Sequence, residues 1–185
     1  MTLLTHCNTG SLATTGTGTA LGVIKEMHKR GFVNEVYADE THPLLQGSRL
    51  TAWELMKSDI PYRIEPYGAA AMAILSGRID AALIGADRIA QNGDSANKIG
   101  SLSVALACHV AGIPFLVVAP ESTVDRSIKT GSEIHIEIRG DEELTHFKGI
   151  QVAPIGAKTF NPAFDVTPAK YISAVITEKQ SYEIA

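Results

Sequence analysis

The sequence predicts an α/β domain, a mostly parallel sheet covered by helices on both faces, in one unit spanning residues 1–185. Three observations carry that expectation. Short β-type runs alternate with longer helical runs, the order that parallel strands joined by crossover helices require. Glycine and proline punctuate the helical runs where they should stop, at Gly77 and at Gly112 with Pro114. Apolar residues make up 45% and charged residues 19%, a globular balance, and no repeat, low-complexity tract or linker divides the chain.

In chain order, Leu3-Leu4-Thr5-His6 reads as a strand, and 19–29 as a helix with apolar residues at helical spacing. Glu35-Val36-Tyr37-Ala38 reads as a strand and 50–56 as a helix. Tyr62-Arg63-Ile64-Glu65 is a strand and 69–75 a helix. Ala82-Leu83-Ile84 is a strand, followed by a long helix expected over 96–110. Phe115-Leu116-Val117-Val118-Ala119 is the most β-like run of all. Beyond Pro120 the pattern loosens. Ile134 to Ile138 alternates as a strand does, Asp141 to Phe147 reads as a short polar helix or a loop, and Ile150-Gln151-Val152 and Ala174 to Thr177 read as strands. Asn161 to Pro168 reads as a proline-bounded loop.

A formal net charge of −4 argues against a basic nucleic-acid surface. No apolar run reaches the length of a membrane span, and the first residues lack the charged start of a signal peptide. Cys7 and Cys108 lie far apart with no C-x-x-C spacing, so neither a disulfide framework nor a cysteine zinc site is expected. The six histidines show no metal-ligand spacing. A cytoplasmic protein with reduced thiols is the expectation.

The chemistry-bearing residues cluster where strands end. Asp87 follows the strand Ala81 to Ile84, and in open α/β sheets ligands bind outside the carboxyl ends of strands. A carboxyl group there can move protons; capping a helix or pairing with Arg88 is the competing reading. Asn97 and Lys98 are placed in the first turn of the helix that follows, where a cation opposes the helix dipole and calls for an anion or a carboxylate nearby. Asp94, just before that helix, reads as its cap. Cys7 ends the first strand, and a thiol near a helix N-terminus can have its pKa lowered; a small buried hydrophobe is the alternative. The Gly/Ser/Thr-rich loop from Thr9 to Thr19 offers donors suited to a phosphate, while Gly16-x-Gly18 lacks the third glycine of a dinucleotide fingerprint. Gln46-Gly47-Ser48-Arg49 opens the second helix at the same edge, with Ser48 as a candidate cap. Glu26 and Arg30 form an i,i+4 pair on a solvated face.

Four segments, Thr5 to Gly10, Leu45 to Ala52, Gly85 to Gly100 and Asn161 to Pro168, together resemble the 5-methylthioribose-1-phosphate isomerase family, kin of the regulatory subunits of a translation-initiation guanine-nucleotide exchange factor. The motifs occur in the family's order and span nearly the whole chain, but they correspond only to the family's C-terminal Rossmann-like domain. The resemblance implies conversion of 5-methylthio-α-D-ribose 1-phosphate to 5-methylthio-D-ribulose 1-phosphate in methionine salvage, without a cofactor. It implies Asp87 as general acid, Cys7 beside the reacting carbons, and Gln46, Asn97 and Lys98 as substrate-binding residues. It also implies a homodimer, with Phe164 and Tyr171 as candidate contacts.

Two departures accompany it. The family's N-terminal helical domain, whose Arg-Gly-Ala segment contributes to the substrate site, has no counterpart here; a separate chain, a removed part or a lost one are the alternatives. His42 stands before Pro43 where the family carries arginine. A non-catalytic regulatory subunit and a ribose-1,5-bisphosphate isomerase are the competing functions.

Overall fold

The computed structural model describes residues 1–14 and 16–183. Its elements run β1 (Thr2–His6), α1 (Ala20–Lys29), β2 (Glu35–Glu40), a π turn (Gly47–Thr51) leading into α2 (Ala52–Lys57), β3 (Tyr62–Pro66), α3 (Ala70–Leu75) and β4 (Ala81–Ile84). They continue as β5 (Arg88–Ala90), β6 (Ser95–Lys98), α4 (Ser101–Ala111), β7 (Phe115–Val118), β8 (Val124–Asp125), α5 (Glu142–Thr145), β9 (His146–Phe147), β10 (Ile150–Gln151), β11 (Phe164–Thr167), β12 (Ala174–Ile176) and β13 (Ser181–Glu183).

The main sheet has seven strands in the order β13-β12-β7-β4-β1-β2-β3. Every pair in it is parallel except β12 with β13. Side chains alternate across each strand, so adjacent residues serve opposite cores. Leu4 packs with Ala73, Ile74, Val104 and Phe115 on one face, and Leu3 packs with Leu21, Ile24, Val36 and Leu55 on the other. Each fully buried leucine or isoleucine contributes about 1.5–3 kcal/mol relative to exposure. The strand order reverses between β1 and β4, and that switch point opens a crevice at the carboxyl ends of the two strands.

A second sheet, β11-β6-β5-β8, rises from that edge directly after β4. It corrects the expected helix over 96–110. Residues 95–98 form a strand, and α4 starts only at Ser101. The turn Ala90-Gln91-Asn92-Gly93, with Gly93 at φ +89°, folds β5 back on β6 as a hairpin. β11 then pairs antiparallel on the other side of β6, so the expected loop over 161–168 holds a strand at its centre. Gly100, at φ +105°, separates the strand from the helix in a conformation that side chains other than glycine rarely adopt.

Ile134 to Ile138 is not a strand. Only the single bridge Ile138–Pro162 forms there, framed by the Arg139 N–H to Asn161 C=O and Ala163 N–H to Glu137 C=O hydrogen bonds, each 2.9 Å. Asp94 does not cap α4; its carboxylate accepts the N–H groups of Gly131 (2.8 Å) and Ala169 (2.8 Å), tying two distant turns to the β5–β6 hairpin. Ser48 is no cap either, since its hydroxyl donates to the Leu45 carbonyl within the π turn. The surface pair Glu26–Arg30 forms as expected, at 2.9 Å.

Candidate active site

Three elements meet at the switch point: the end of β1, the β4–β5 junction and the hairpin strand β6. Cys7 follows His6 at φ +59°, a left-handed conformation costly for a residue with a side chain. It is held there by Thr51, whose hydroxyl donates to the Cys7 carbonyl, while Asn8 donates to the Thr51 oxygen at 3.1 Å. Thr51 reaches this position because Gly47 lets the π turn lie on the end of β2. A Cβ at Gly47 would come within 1.8 Å of the Asp39 carbonyl oxygen. Gln46 enters that turn and accepts a hydrogen bond from the Thr41 hydroxyl at 2.8 Å.

Asp87 sits between β4 and β5, fixed through its backbone by Asp87 N–H to Ala96 C=O at 2.9 Å. Among the described residues no donor reaches its carboxyl group. It stands at a cavity of about 360 Å³ lined by Ile134, Ile136, Phe164, Ala96, Arg88 and His135. The residue as a whole is exposed, yet neighbouring protein atoms crowd the carboxyl, and that desolvation pushes its pKa above the ordinary carboxylate value; the Lys98 ammonium opposes the shift without cancelling it. Arg88 turns away and pairs with Asp125 at 3.1 Å. Both competing roles for Asp87, cap and Arg88 partner, are thereby excluded.

Lys98 and Asn97 lie on β6 rather than on a helical turn, so the dipole conflict expected there does not arise. Lys98 extends over the Phe164 ring, 4.6 Å from its centroid, across the register pair Lys98–Phe164. Asn97 is buried and donates to the Ser101 hydroxyl at 2.9 Å. Lys98 also acts on the Cys7 thiol. Burial raises the pKa of that thiol most; Asn8, Lys98 and Thr41 pull it down, and the Asp87 charge pushes it up. The net direction is upward, which sets aside the lowered-pKa reading in favour of the alternative, a partly buried thiol that stays neutral at physiological pH. Cys108, buried among apolar side chains, is pushed up to about 12.

The Gly/Ser/Thr-rich loop is already occupied. Ser11 N–H (3.0 Å), Ser11 hydroxyl (2.8 Å) and Leu12 N–H (3.3 Å) all donate to the Glu54 carboxylate, as do Asn8 and Lys25. The anion that these donors suit is an internal one. Among the described residues no group of three His, Cys, Asp or Glu side chains converges to hold a metal ion.

Cys7, Asp87, Lys98, Asn97 and Gln46 thus share one edge, and Cys7, Asp87 and Lys98 act directly on one another. The sequence reading missed Thr41, Phe164, Ile134 and Ile136. Phe164 was visible as an alternating apolar position in Phe164-Asp165-Val166-Thr167; Thr41 carried no signal of its own.

The fold is an open α/β domain with a crevice at the switch point of its parallel sheet, the place where such sheets bind ligands. The chain belongs to the initiation factor 2 subunit family, whose model matches residues 1–180. It is 56% identical to the methylthioribose-1-phosphate isomerase of Caldanaerobacter subterraneus over 177 residues, 96% of this chain and 51% of that protein. The crystal structure of 5-methylthioribose 1-phosphate isomerase from Pyrococcus horikoshii OT3 matches with a TM-score of 0.95 at 44% identity, covering 98% of this chain and 51% of that one. The crystal structure of the translation initiation factor eIF-2B, subunit delta, from A. fulgidus matches with a TM-score of 0.93 at 40% identity, covering 98% of this chain and 53% of that one. The chain spans about half the length of the curated relatives it matches.

Proposed function

We propose that this chain carries the catalytic groups of a sugar-phosphate isomerase that converts 5-methylthio-α-D-ribose 1-phosphate to 5-methylthio-D-ribulose 1-phosphate, a step of methionine salvage. The observation that carries the reading is a crowded carboxyl, Asp87, beside one ammonium, Lys98, and one neutral thiol, Cys7, at the switch point. The names of the Caldanaerobacter and Pyrococcus relatives supply the substrate.

The phosphate on the anomeric oxygen prevents simple ring opening to an aldehyde, so the ring oxygen must be protonated as its bond to C1 breaks. Asp87, whose pKa desolvation pushes upward, donates that proton. One hydrogen leaves C2 and arrives at C1, and the proton of the C2 hydroxyl returns to Asp87 as the ketone forms. Atoms balance with no redox partner. A positioned acid of this kind contributes about 10²–10⁴ in rate. Lys98 holds the phosphate, Asn97 and Gln46 bind sugar hydroxyls, and Cys7 stands beside the reacting carbons without ionising. The ribose-1,5-bisphosphate alternative needs cations for a second phosphate. Arg139 lines the cleft next to Lys98 and Gln46, but its guanidinium is engaged by Glu143 at 2.6 Å.

A homodimer and a cytoplasmic setting belong to the same reading. Of the two candidate contacts, Phe164 lies under Lys98, and Tyr171 meets His109 edge-on at 5.1 Å; both keep part of their surface exposed. Ile138, Phe147, Ile150, Val152, Ile155 and Phe160 are the exposed large apolar side chains described in the C-terminal third, and sedimentation of Phe160→Ser against the parent chain tests them. No helix among the described residues is long and apolar enough to cross a membrane.

A phosphorus NMR time course with the methylthioribose phosphate tests the function. An anomeric phosphate signal giving way to a primary phosphate ester is expected. A folded chain that leaves the signal unchanged, and still does so with an added N-terminal domain from a relative, overturns the proposal in favour of a regulatory subunit.

A further inference from the structure

The carboxyl ends of β1, β2 and β3 carry His6, Asp39 and Glu65 in one register row. His6 and Asp39 are completely buried, and Glu65 is 9% exposed. This row lies outside the groups assigned to the reaction. Its geometry nevertheless runs straight into the anion-binding strand. His6 Nδ1 meets Asp39 Oδ2 at 2.9 Å, and His6 Nε2 meets the Ile99 carbonyl oxygen at 2.9 Å. A carbonyl oxygen only accepts, so Nε2 carries a hydrogen and donates it. One proton is then shared between Nδ1 and Asp39.

The peptide group that receives this hydrogen bond is gripped from its other side. The Gly100 N–H, in the same peptide plane as the Ile99 carbonyl, donates to Asp165 Oδ2 at 2.7 Å. The His6 ring also packs against Gly100 itself, where a Cβ would lie 2.8 Å from Cε1. Tyr67 closes the ring's remaining side edge-on, 6.4 Å between centroids. Lys98 and Asn97 immediately precede this clamped peptide.

We propose that His6, oriented by Asp39, is a positioning residue that holds the Ile99–Gly100 peptide and so fixes Lys98 and Asn97 for the substrate phosphate. A fixed peptide presents the ammonium in one place, whereas a free one spends binding energy on ordering it. This rests on the isomerase reading above. It differs from a merely structural role because the His ring's two nitrogens do different jobs. Glutamine places an amide donor near the Nε2 position and asparagine places one near Nδ1.

The test compares the parent chain, His6→Asn and His6→Gln in the isomerase assay, each shown folded by circular dichroism. His6→Asn keeps a partner for Asp39 and drops the Ile99 carbonyl; its KM is expected to rise about tenfold with kcat changing less than about threefold. His6→Gln restores the carbonyl contact and is expected to recover most of that loss. Equal KM values in all three folded proteins overturn the proposal, as does a loss confined to kcat. A parent chain without turnover instead counts against the isomerase reading. The His6 tautomer gives an independent measurement that needs neither variant nor activity. Long-range nitrogen NMR of the parent chain is expected to find Nε2 protonated, and an unprotonated Nε2 overturns the clamp.

Discussion

The Glu54 pocket and the Asp87 cleft sit at the same edge of one sheet, and both are built around a carboxyl group. Burial by itself would raise the pKa of either. In the Glu54 pocket, donors from Lys25, Ser11 and Asn8 outweigh burial and hold the pKa at about 2. In the Asp87 cleft no donor among the described residues touches the carboxyl, and crowding wins. The donors, and not burial alone, decide which carboxyl is held as a structural anion and which has its pKa pushed upward. The Ser11–Leu12 part of the phosphate-suited loop belongs to the first kind of site, its donors already engaged by Glu54.

Substituting the two carboxyls should separate their roles most sharply. Asp87→Asn is expected to reduce turnover by about 10³ while leaving the thermal midpoint unchanged or slightly higher. An active, folded Asp87→Asn would erase the distinction. Glu54→Gln is expected to leave the chemistry intact and cost about 3 kcal/mol at pH 7, because Lys25 and the Ser11–Leu12 donors lose their charge partner. Its pH dependence is the finer reading. The Glu54 pKa is depressed from 4.5 to about 2, so its stabilisation is fully present above the ordinary value and is lost as pH falls through that window. Chemical denaturation between pH 5 and 2 should therefore show a slope, in about the range stated by those values, that Glu54→Gln lacks.

Lys98→Met sharpens the comparison from the cation's side. Lys98 lowers the pKa values of both Asp87 and Cys7, so its removal should move the alkaline limb of activity to higher pH as well as weaken substrate binding about tenfold. A pH profile that stays in place would remove Lys98 from the electrostatics of the cleft. Glu65 provides the opposite sign to Glu54. Burial and the Asp39 carboxylate raise it from 4.5 to about 7, with Asp39 and His6 the titratable groups facing it. Its contribution is fully present below the ordinary value and is lost as pH rises toward 7, so Glu65→Gln should flatten the neutral side of the stability curve. The smallest effect marks the scale: Glu26→Ala, on an exposed helix pair, should cost about 0.3–0.5 kcal/mol at low salt.

The parallel strands were legible because most are local β-type runs bounded by a helix or by Gly and Pro, whereas the antiparallel edge strand β13, Ser181-Tyr182-Glu183, is no such run and was not expected. The second sheet was not. Ser95-Ala96-Asn97-Lys98 has little β propensity and merges with the helical run after it, so periodicity extended α4 five residues too far back. The Asn92-Gly93 turn signalled the hairpin, but β11, the other partner of β6, lies far along the chain where no window reaches it. The site residues themselves were legible because strand ends in a parallel sheet point one way. Their charge states were not, because the direction of the thiol shift and the occupation of the Ser11–Leu12 loop by Glu54 arise from packing between remote segments.

Helix α4 has no capping side chain in its own sequence. The free N–H groups of Gly100 and Leu102 are satisfied by Asp165, which arrives 65 residues after Gly100 along the chain. Contacts of that separation form late, after the loop between them has closed. During synthesis, the first strands and α1 to α3 can therefore pack while the edge bearing Lys98 waits for β11 to emerge. The order of assembly puts β1 to β4 ahead of the edge that bears Lys98.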